Sequence, residues 1–368
     1  MKILFTIHDL GTGGSERAIV AQANGLAHEG HDVVLATFLP NPRQDMASEL
    51  VLSASDRVAF AFRSPWSFGQ LRPLARFLRR FRPDVVVSES LVSTVPLKLV
   101  RPFVPSFRLV VREGNVLLRH GRLNRIFARF TEWMVAAYFV NSQAIRSDLI
   151  DHGISPKKVS VIYNGIAPAF FEPPRQDSVR VREHLGIPAG SFVILHIGSM
   201  SSPQKAQDVV LHAVARTPGL NDAAVVFVGD GHLRARFRAS AEELHLGHRT
   251  FFVGKRSDVR ELLHAADVFA FPSRWEGMPN VVLEAMACKV PVVATPAGGI
   301  PEILHDGETG LLVPFDDPDA LSAALMRIRT DPGLAGAMTE RAQQTVASTF
   351  RWDRNVQELE RLLVGVIG

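Results

Sequence analysis

Short apolar runs alternate with amphipathic segments along the first half of the chain. Each run is brief and bounded by polar or glycine residues, as expected for a buried strand of a parallel sheet. The runs predict strands at residues 2–7, 31–38, 85–88, 109–112, 138–141 and 159–163. The segments between them predict a helix that begins near Ser15 and helices at residues 71–80, 123–136 and 143–152. This alternation indicates a doubly wound parallel sheet.

The second half of the chain repeats the rhythm. Between the halves, Pro168, Pro173 and Pro174 are typical of a linker. A chain of 368 residues is long enough for two domains. The pattern therefore predicts an α/β protein with two parallel sheets. The second sheet and its helices are predicted from strands at residues 192–198, 224–228, 251–254, 268–271 and 290–295, and from helices at residues 207–215 and 280–287.

Composition is that of a globular protein with two cores. Hydrophobic residues make up 46% of the chain and charged residues 21%, as in ordinary soluble domains. Cys288 is the sole cysteine, so an internal disulfide is excluded and a reducing, cytoplasmic compartment is expected. Residues 2–7 resemble a signal start, but the apolar run ends at His8 and we interpret it as the first strand.

Charge is distributed unevenly between the halves. Residues 1–168 carry 21 basic residues against 13 acidic ones, and the remainder carries 20 against 24. The basic residues are interpreted either as solvated helix faces or as a surface for an anionic membrane or a diphosphate-bearing acceptor. Nucleic acid is not expected, because no recognised binding motif accompanies the charge. The two basic groups are Arg72, Arg76, Arg79, Arg80 and Arg82, and Arg119, Arg122, Arg125 and Arg129.

Residues 267–295 carry the most informative functional pattern. A predicted strand is followed by a loop with Glu276 and then by a helix with Glu284, eight positions later. Open α/β sheets bind ligands at the carboxyl ends of their strands, and the amides of Asn280 and Val281 at the helix N-terminus favour an anion. The spacing alone is weak evidence, but its place between two buried strands predicts a binding site. Both carboxylates are expected to face a solvated cleft.

A glycine-rich turn follows the first predicted strand. Gly11, Gly13 and Gly14 lie between this strand and a helix, where backbone amides can approach a phosphate. A dinucleotide-binding turn has the pattern G-x-G-x-x-G, and Glu16 stands in the place of the third glycine. An NAD-dependent oxidoreductase is therefore disfavoured.

Residues 276–287, Glu-Gly-Met-Pro-Asn-Val-Val-Leu-Glu-Ala-Met-Ala, closely resemble the signature of retaining glycosyltransferases of family 4, which have the GT-B fold. The resemblance spans nearly the whole chain. It includes Gly-Gly-Ser-Glu-Arg at residues 13–17, the loop at residues 198–205, Lys-Arg-Ser-Asp at residues 255–258 and an Asn-Gly pair at residues 164–165. It implies two Rossmann-like domains that face each other across a cleft.

The resemblance gives each candidate site residue a role. It implies that Glu276 is catalytic and accepts hydrogen bonds from the donor sugar, and that Glu284 holds the ribose. Lys205 is implied to neutralise the donor diphosphate, with Arg17 contributing from across the cleft. No metal or other cofactor is implied, since fixed dipoles and this lysine take that part. The donor-binding residues are Gly14, Arg17, Ser199, Lys205, Arg256, Gly277, Met278, Pro279, Asn280, Val281 and Glu284.

Two site positions depart from the family pattern. Ser199 replaces an arginine beside the diphosphate, and a hydroxyl can bond a phosphate oxygen but supplies no charge. Lys205 is therefore expected to be the main side-chain cation there. Gly114 replaces a histidine near the reacting sugar, and His8 and His120 are the candidate substitutes for it.

The resemblance implies domains at residues 1–168 and 169–351, with a last helix at residues 352–368 that packs back on the first domain. The expected function is retaining transfer of a sugar from a nucleotide sugar to a glycan or lipid-linked acceptor, such as a polysaccharide or lipopolysaccharide precursor. The expected location is the cytoplasm, at the inner face of the plasma membrane. A sugar phosphorylase or sugar-nucleotide epimerase on the same fold, and an inactive nucleotide-sugar-binding subunit, remain as alternatives.

Overall fold

The computed structural model describes residues 1–11, 13–39, 46, 49–52, 56–62, 64, 66–114, 126 and 129–368. The chain divides into two compact units. The first comprises Met1–Gly165 with Trp352–Gly368, and the second comprises Ile166–Arg351. The domain prediction places its boundary after residue 168, and the units divide after Gly165.

Within the described residues, the first unit contains a sheet of seven parallel strands in the order β3-β2-β1-β4-β5-β6-β7. Six of these strands confirm the predictions to within a residue or two. The prediction missed β3, because this edge strand is short and none of its residues is buried. The strands are β1 (Lys2–Ile7), β2 (Asp32–Thr37), β3 (Arg57–Ala59), β4 (Val85–Glu89), β5 (Arg108–Glu113), β6 (Ala137–Val140) and β7 (Val159–Val161).

The second unit, as far as it is described, contains a sheet of six parallel strands in the order β10-β9-β8-β11-β12-β13. All five predicted strands are present. The two-residue strand β13 was missed, because a segment of that length carries no readable period. The strands are β8 (Val193–Ile197), β9 (Ala224–Val228), β10 (Thr250–Gly254), β11 (Val268–Phe271), β12 (Val292–Ala294) and β13 (Leu311–Leu312).

The helices connect the strands as the alternation predicts, and the predicted α/β fold with two Rossmann-like sheets is confirmed. Helices α1 to α4 and α12 belong to the first unit, and α5 to α11 to the second. Their bounds are α1 (Gly14–His28), α2 (Leu71–Phe81), α3 (Ser90–Val100), α4 (Gln143–Asp151), α5 (Ser178–His184), α6 (Gln207–Ala215), α7 (Arg234–Glu243), α8 (Val259–His264), α9 (Asn280–Ala287), α10 (Pro318–Thr330), α11 (Pro332–Thr349) and α12 (Trp352–Ile367).

Alternating strand residues of the first sheet build two cores, one on each face. Leu4 and Leu109 pack with α2, α3 and α4 on one face. Ile3 and Phe5 pack with α1 and α12 on the other. Because successive side chains of a strand point to opposite faces, each buried strand serves both cores.

The last helix, α12, packs on α1. Gln22 Nε2 donates to Asn355 Oδ1 at 3.1 Å, and Asn355 Nδ2 donates to the carbonyl of Tyr163 at 2.6 Å. Gly25 lets the helices approach, since a Cβ there would lie 2.5 Å from Cγ2 of Val356. Sequence-distant α12 is thus an integral layer of the first unit.

The helix predicted at residues 123–136 lies partly outside the described residues. Its described end differs from the prediction, because Glu132–Met134 form a 3-10 turn. The carbonyls of Glu132 and Val135 accept hydrogen bonds from Lys158 Nζ at 3.1 and 3.0 Å. This turn directs the chain into β6. Among the described helices, none is both long and apolar enough to cross a membrane.

Candidate active site

The predicted site residues of the second unit lie in loops at one edge of its sheet. Parallel strands place their carboxyl ends together, and the loops after them form the usual ligand-binding edge. The loops follow β8, β10 and β11 and carry Ser199 and Lys205, Arg256, and Glu276 to Pro279, respectively. Gly14 and Arg17 lie elsewhere, on the first turn of α1 in the first unit.

Glu276 and Lys205 form a close ion pair. Lys205 Nζ lies 2.5 Å from Glu276 Oε1, and the hydroxyl of Ser273 donates to the same oxygen at 2.5 Å. The ammonium also lies over the ring of Phe271, 4.8 Å from its centroid. Glu276 is only 8% exposed, and a buried carboxylate needs such partners to remain charged. Lys205 and Glu276 are 71 positions apart in the sequence but form one ion-paired unit in the fold.

Lys205 reaches Glu276 across a glycine. A Cβ at Gly198 would lie 2.7 Å from Cγ of Lys205, so the lysine stem occupies the space of a side chain there. Lys205 ends a 3-10 turn, Pro203–Lys205, and the following Ala206 has left-handed backbone angles. The glycine at the end of β8 is thus required for the path of the lysine.

A second set of bonds joins the Lys205 loop to the Glu276 loop. Gln204 Nε2 donates to the carbonyl of Trp275 at 2.7 Å, and the hydroxyl of Ser273 lies 3.0 Å from the carbonyl of Gln204. Arg274 donates to Asp208 Oδ2 at 2.8 Å and to the carbonyl of Pro203 at 2.5 Å. The hydrogen bond with Asp208 raises the pKa of Arg274 above its usual value.

Sequence reasoning missed Ser273, Gln204 and Arg274. Their proximity to Glu276 and Lys205 along the chain was the available signal, since each lies within three residues of one of them. Nothing in the pattern indicated that these side chains would pair across the two loops, because side-chain pairing between loops has no period.

The loop after β12 supports the backbone of Glu276. Gly298 has φ of +54°, and a Cβ there would lie 1.9 Å from the carbonyl oxygen of Glu276. Gly299 N donates to the carbonyl of Gly277 at 2.7 Å, and the hydroxyl of Thr295 donates to the carbonyl of Ser273. Glycine at 298 is therefore needed both for its conformation and for the close approach.

Helix α9 begins at Asn280 and ends at Ala287, as predicted. Pro279 is the N-cap, with φ of −78° and ψ of 113°. An extended backbone is usual for an N-cap residue, and the buried loop residues Gly277 and Met278 precede it. Asn280 and Val281 are half-buried at the helix N-terminus.

The two glutamates are buried, which corrects the expectation that both face solvent. Glu276 is 8% exposed and Glu284 4% exposed. Glu276 is covered by its partners Lys205 and Ser273. Glu284 lies on a helix whose residues from Val282 to Ala287 are all buried, and the sequence pattern could not distinguish such a helix from a half-exposed one.

Ser199 and Arg256 make their hydrogen bonds outside this pair. Ser199 is exposed, and its hydroxyl accepts from Ser201 N at 3.2 Å. Arg256 forms a bidentate pair of hydrogen bonds with the Asp258 carboxylate, at 2.8 and 2.6 Å. This pairing raises the pKa of Arg256 and lowers the pKa of Asp258. Both residues lie at the carboxyl edge of the second sheet, as expected. The hydrogen bonds described here join them to Ser201 and Asp258 and not to the Glu276 carboxylate.

Charged side chains also collect at the carboxyl edge of the first sheet. Arg112 is buried, which lowers its pKa, and donates to Ser15 Oγ at 3.0 Å. His8 Nδ1 lies 3.7 Å from Glu89 Oε2, and this contact raises the pKa of His8. Gly114 directly follows β5, and Asn115 and His120 lie outside the described residues.

Two all-parallel sheets, each with charged residues at its carboxyl edge, agree with the GT-B class that the sequence signature predicts. The family model described as "Glycosyl transferases group 1" matches residues 177–345. The model described as "Glycosyltransferase Family 4" matches residues 12–170. The chain belongs to the family 4 glycosyltransferases with the GT-B fold, as the sequence signature suggested.

Known relatives are similar over part of their length. The chain is 31% identical over 211 residues to N-acetyl-alpha-D-glucosaminyl L-malate synthase of Bacillus anthracis, covering 57% of this chain and 55% of that protein. It is 33% identical over 230 residues to D-inositol 3-phosphate glycosyltransferase of Mycobacterium marinum, covering 60% and 48%. The chain thus spans about half the length of these curated relatives.

A solved structure with the same fold is that of Anabaena HepE in complex with UDP and glucose. It has a TM-score of 0.88 and 24% identity to this chain, and the match covers 99% of this chain and 100% of HepE. The likeness extends over both parallel sheets and establishes the fold.

Replacing Gly298 should test the support of Glu276. In Gly298→Ala the added methyl group would meet the Glu276 carbonyl at 1.9 Å, so we expect the loop to shift and the nucleotide binding predicted from the sequence to weaken at least tenfold. Gly307→Ala is the matched control, because Gly307 also has positive φ but open space around it. Both variants carry a backbone cost of ~1 kcal/mol. Equal nucleotide affinity of the two variants, measured by calorimetry, would contradict the role of Gly298.

Proposed function

We propose that this protein is a glycosyltransferase that transfers a sugar from a nucleotide sugar to an acceptor. The observation that carries the proposal is the buried Glu276 carboxylate, fixed by Lys205 and Ser273 beside the N-terminus of α9. A carboxylate can orient sugar hydroxyls, and an ammonium beside a helix N-terminus can hold a diphosphate. A relative named as a glycosyltransferase, and a neighbour solved with UDP and glucose, support the same interpretation.

In this proposal different loop residues bind different parts of the nucleotide-sugar donor. Glu276 accepts hydrogen bonds from hydroxyls of the sugar, and Glu284 from the ribose. The amides of Gly277 to Val281 bind sugar and phosphate oxygens. Ser199 and Arg256 line the diphosphate and base ends, and Gly14 and Arg17 of the first unit contribute to the diphosphate.

Lys205 can serve Glu276 and the diphosphate together. An ammonium group has three N–H donors, and one is directed at Glu276 Oε1. The others can bond phosphate oxygens without breaking the ion pair. As the sugar leaves, negative charge grows on the diphosphate, and a cation fixed in advance stabilises that charge most effectively.

We propose that the reaction retains the anomeric configuration through front-face attack. The acceptor oxygen bonds to C1 of the sugar on the face from which the diphosphate departs. The C1–O bond breaks with its electron pair going to the diphosphate, and the departing phosphate oxygen takes the acceptor's proton. In this mechanism Glu276 does not act as a nucleophile. Double displacement uses carboxyl groups ~5 Å apart flanking C1, and the pairing of Glu276 with Lys205 favours a binding role instead.

The proposed acceptor is a glycan or lipid-linked precursor of a polysaccharide or lipopolysaccharide. The basic excess of residues 1–168 motivates it, because an anionic cytoplasmic membrane face attracts such a surface. We therefore propose a peripheral location at the inner face of the plasma membrane.

A thermal-shift screen of nucleotide sugars tests the core of the proposal, since a ligand that binds the native state raises its apparent stability. The stabilising donor is then incubated with candidate acceptors, and products are analysed for anomeric configuration. Turnover that requires free phosphate would indicate a phosphorylase, and conversion of donor without acceptor would indicate an epimerase. Binding without any turnover would support an inactive binding subunit.

Substitution of Lys205 tests the diphosphate site. Lys205→Ala should weaken nucleoside-diphosphate binding by ~1.5–3 kcal/mol, the scale of hydrogen bonds to charged groups. Lys289→Ala is the control, because this exposed lysine pairs with Glu340 instead. Calorimetric titration of both variants decides. An affinity unchanged by Lys205→Ala would transfer the role to another cation, with Arg17 first.

The two glutamates should separate in kinetics. Glu284→Gln should mainly raise the donor KM, because the ribose is held equally before and during reaction. Glu276→Gln should mainly lower kcat, because contacts to the sugar strengthen as C1 leaves the phosphate. Exposed Glu308→Gln serves as the control. Steady-state kinetics with one donor tests this assignment, and a near-normal kcat for Glu276→Gln would refute it.

Transfer should proceed without a divalent metal, since Lys205 and helix α9 are proposed to carry the diphosphate charge. Initial rates measured with and without excess EDTA should agree. Loss of activity with EDTA, restored by Mn²⁺ or Mg²⁺, would show that a metal takes part.

A further inference from the structure

Three aromatic side chains of the first unit project into solvent from two chain segments that are hydrogen-bonded to each other. Phe103 is 66% exposed, Phe130 77% and Trp133 76%. Phe103 lies in the turn after α3, and Trp133 in the turn before β6. We call these three residues the aromatic surface. Large apolar side chains that stay exposed together in a folded protein commonly mark a contact site.

The turns that carry the aromatic surface are joined and held in place. Arg101, beside Phe103, donates to the carbonyl of Met134, beside Trp133. Lys98 Nζ donates to the hydroxyl of Thr131 at 2.9 Å, next to Phe130. Arg129 donates to the carbonyl of Gly153 at 2.7 Å. These hydrogen bonds fix the backbone of both segments, while the aromatic side chains remain exposed to solvent.

A basic helix face adjoins the aromatic surface. Arg79, on the last turn of α2, donates through two nitrogens to the carbonyl of Phe103, at 3.0 and 2.7 Å. Arg72, Arg76 and Arg80 are exposed on the same helix, at the i, i+4 and i+8 positions of one face. Residues 57–83 and 90–112 contain neither aspartate nor glutamate. Arginines thus border the exposed rings, and Glu132, which lies between Phe130 and Trp133, is paired with Lys158 at 3.1 Å.

We infer that the aromatic surface and the arginine face of α2 together dock on an anionic lipid bilayer, with the rings inserted at the interface. Tryptophan and phenylalanine favour the boundary between headgroups and acyl chains, and arginines beside them bind anionic headgroups. A second copy of the chain fits less well, because a two-fold contact would bring the same arginines together. The inference deepens the proposed function, on which it rests for its lipid-linked acceptor.

The inference differs from simple electrostatic attraction in its dependence on salt. Contacts between arginines and headgroups are screened at high ionic strength, where the Debye length falls to ~3 Å at 1 M. Insertion of apolar rings is not screened. Binding should therefore keep a salt-resistant part that depends on Phe103, Phe130 and Trp133.

Flotation of the full chain with vesicles tests this. Phosphatidylcholine vesicles with phosphatidylglycerol should bind the protein at low salt, and a measurable fraction should remain bound at about 1 M salt. The triple variant Phe103→Ser, Phe130→Ser and Trp133→Ser should lose at least fivefold of the salt-resistant fraction. Arg76→Gln with Arg80→Gln should reduce binding at low salt alone. The control is Val179→Ser with Val364→Ser, which removes exposed apolar residues elsewhere.

Fluorescence gives a second readout that a folding defect would not mimic. Brominated lipid should quench part of the tryptophan emission of the unaltered protein, and Trp133→Phe should abolish that part. All variants should keep their unfolding temperature and nucleoside-diphosphate binding. Vesicle binding unchanged in the triple variant, or absent in the unaltered protein, would overturn the inference. Self-association that the triple variant abolishes, without vesicle binding, would assign the surface to a second copy.

Failure of this inference can be told from failure of the proposed function. If the protein binds nucleotide sugars but not vesicles, the membrane-docking inference is wrong and the proposed function is unaffected. Vesicles that bind while no nucleotide or nucleotide sugar does would leave the surface in place and remove the proposed donor site.

Discussion

The ion pair between Lys205 and Glu276 is the constraint on which the rest of the second unit's site depends. A carboxylate and an ammonium removed from water are stable only when both are bonded with good geometry. Here Ser273 and the ring of Phe271 complete the surroundings. The pair requires Gly198 at the end of one strand and Gly298 after another, because each leaves space that a side chain would fill. Three loops from different strands are thereby fixed relative to one another.

This dependence separates residues proposed to bind the donor from residues that position them. Glu276 and Lys205 are proposed to contact a donor, whereas Arg274 and Gln204 fasten the loops that hold them. Both positioning residues bond to backbone carbonyls, and Arg274 also pairs with the Asp208 carboxylate, so these bonds fix loop shape without a ligand. A site built in this way is formed before a ligand arrives, so less binding free energy is spent on ordering it.

Much of the fold could be predicted from sequence, because buried parallel strands are continuous apolar runs and their helices are periodic. Strands β9 and β11 and helices α6 and α9 agree with their predicted bounds. The failures have physical causes. Edge strand β3 has no buried side chain, so its sequence lacks the apolar run that predicts a buried strand. The burial of Glu284 was missed because the sequence does not reveal what packs around a helix. Among candidate site residues, the two glutamates were predicted from a known signature, whereas Ser273 and Arg274 act through tertiary contacts that leave no periodic trace.

The point where the chain enters and leaves the second unit has a consequence for the gene. Ile166 N donates to the carbonyl of Phe350 at 2.8 Å, and Ile166 and Arg351 form a parallel bridge. The second unit is thus a continuous insertion between β7 and α12, and its two ends are hydrogen-bonded neighbours. Segments with adjacent ends are the ones that proteins accept as insertions. One uninterrupted stretch of coding sequence therefore specifies the whole second sheet, and exchanging that sheet between relatives requires a single pair of junctions.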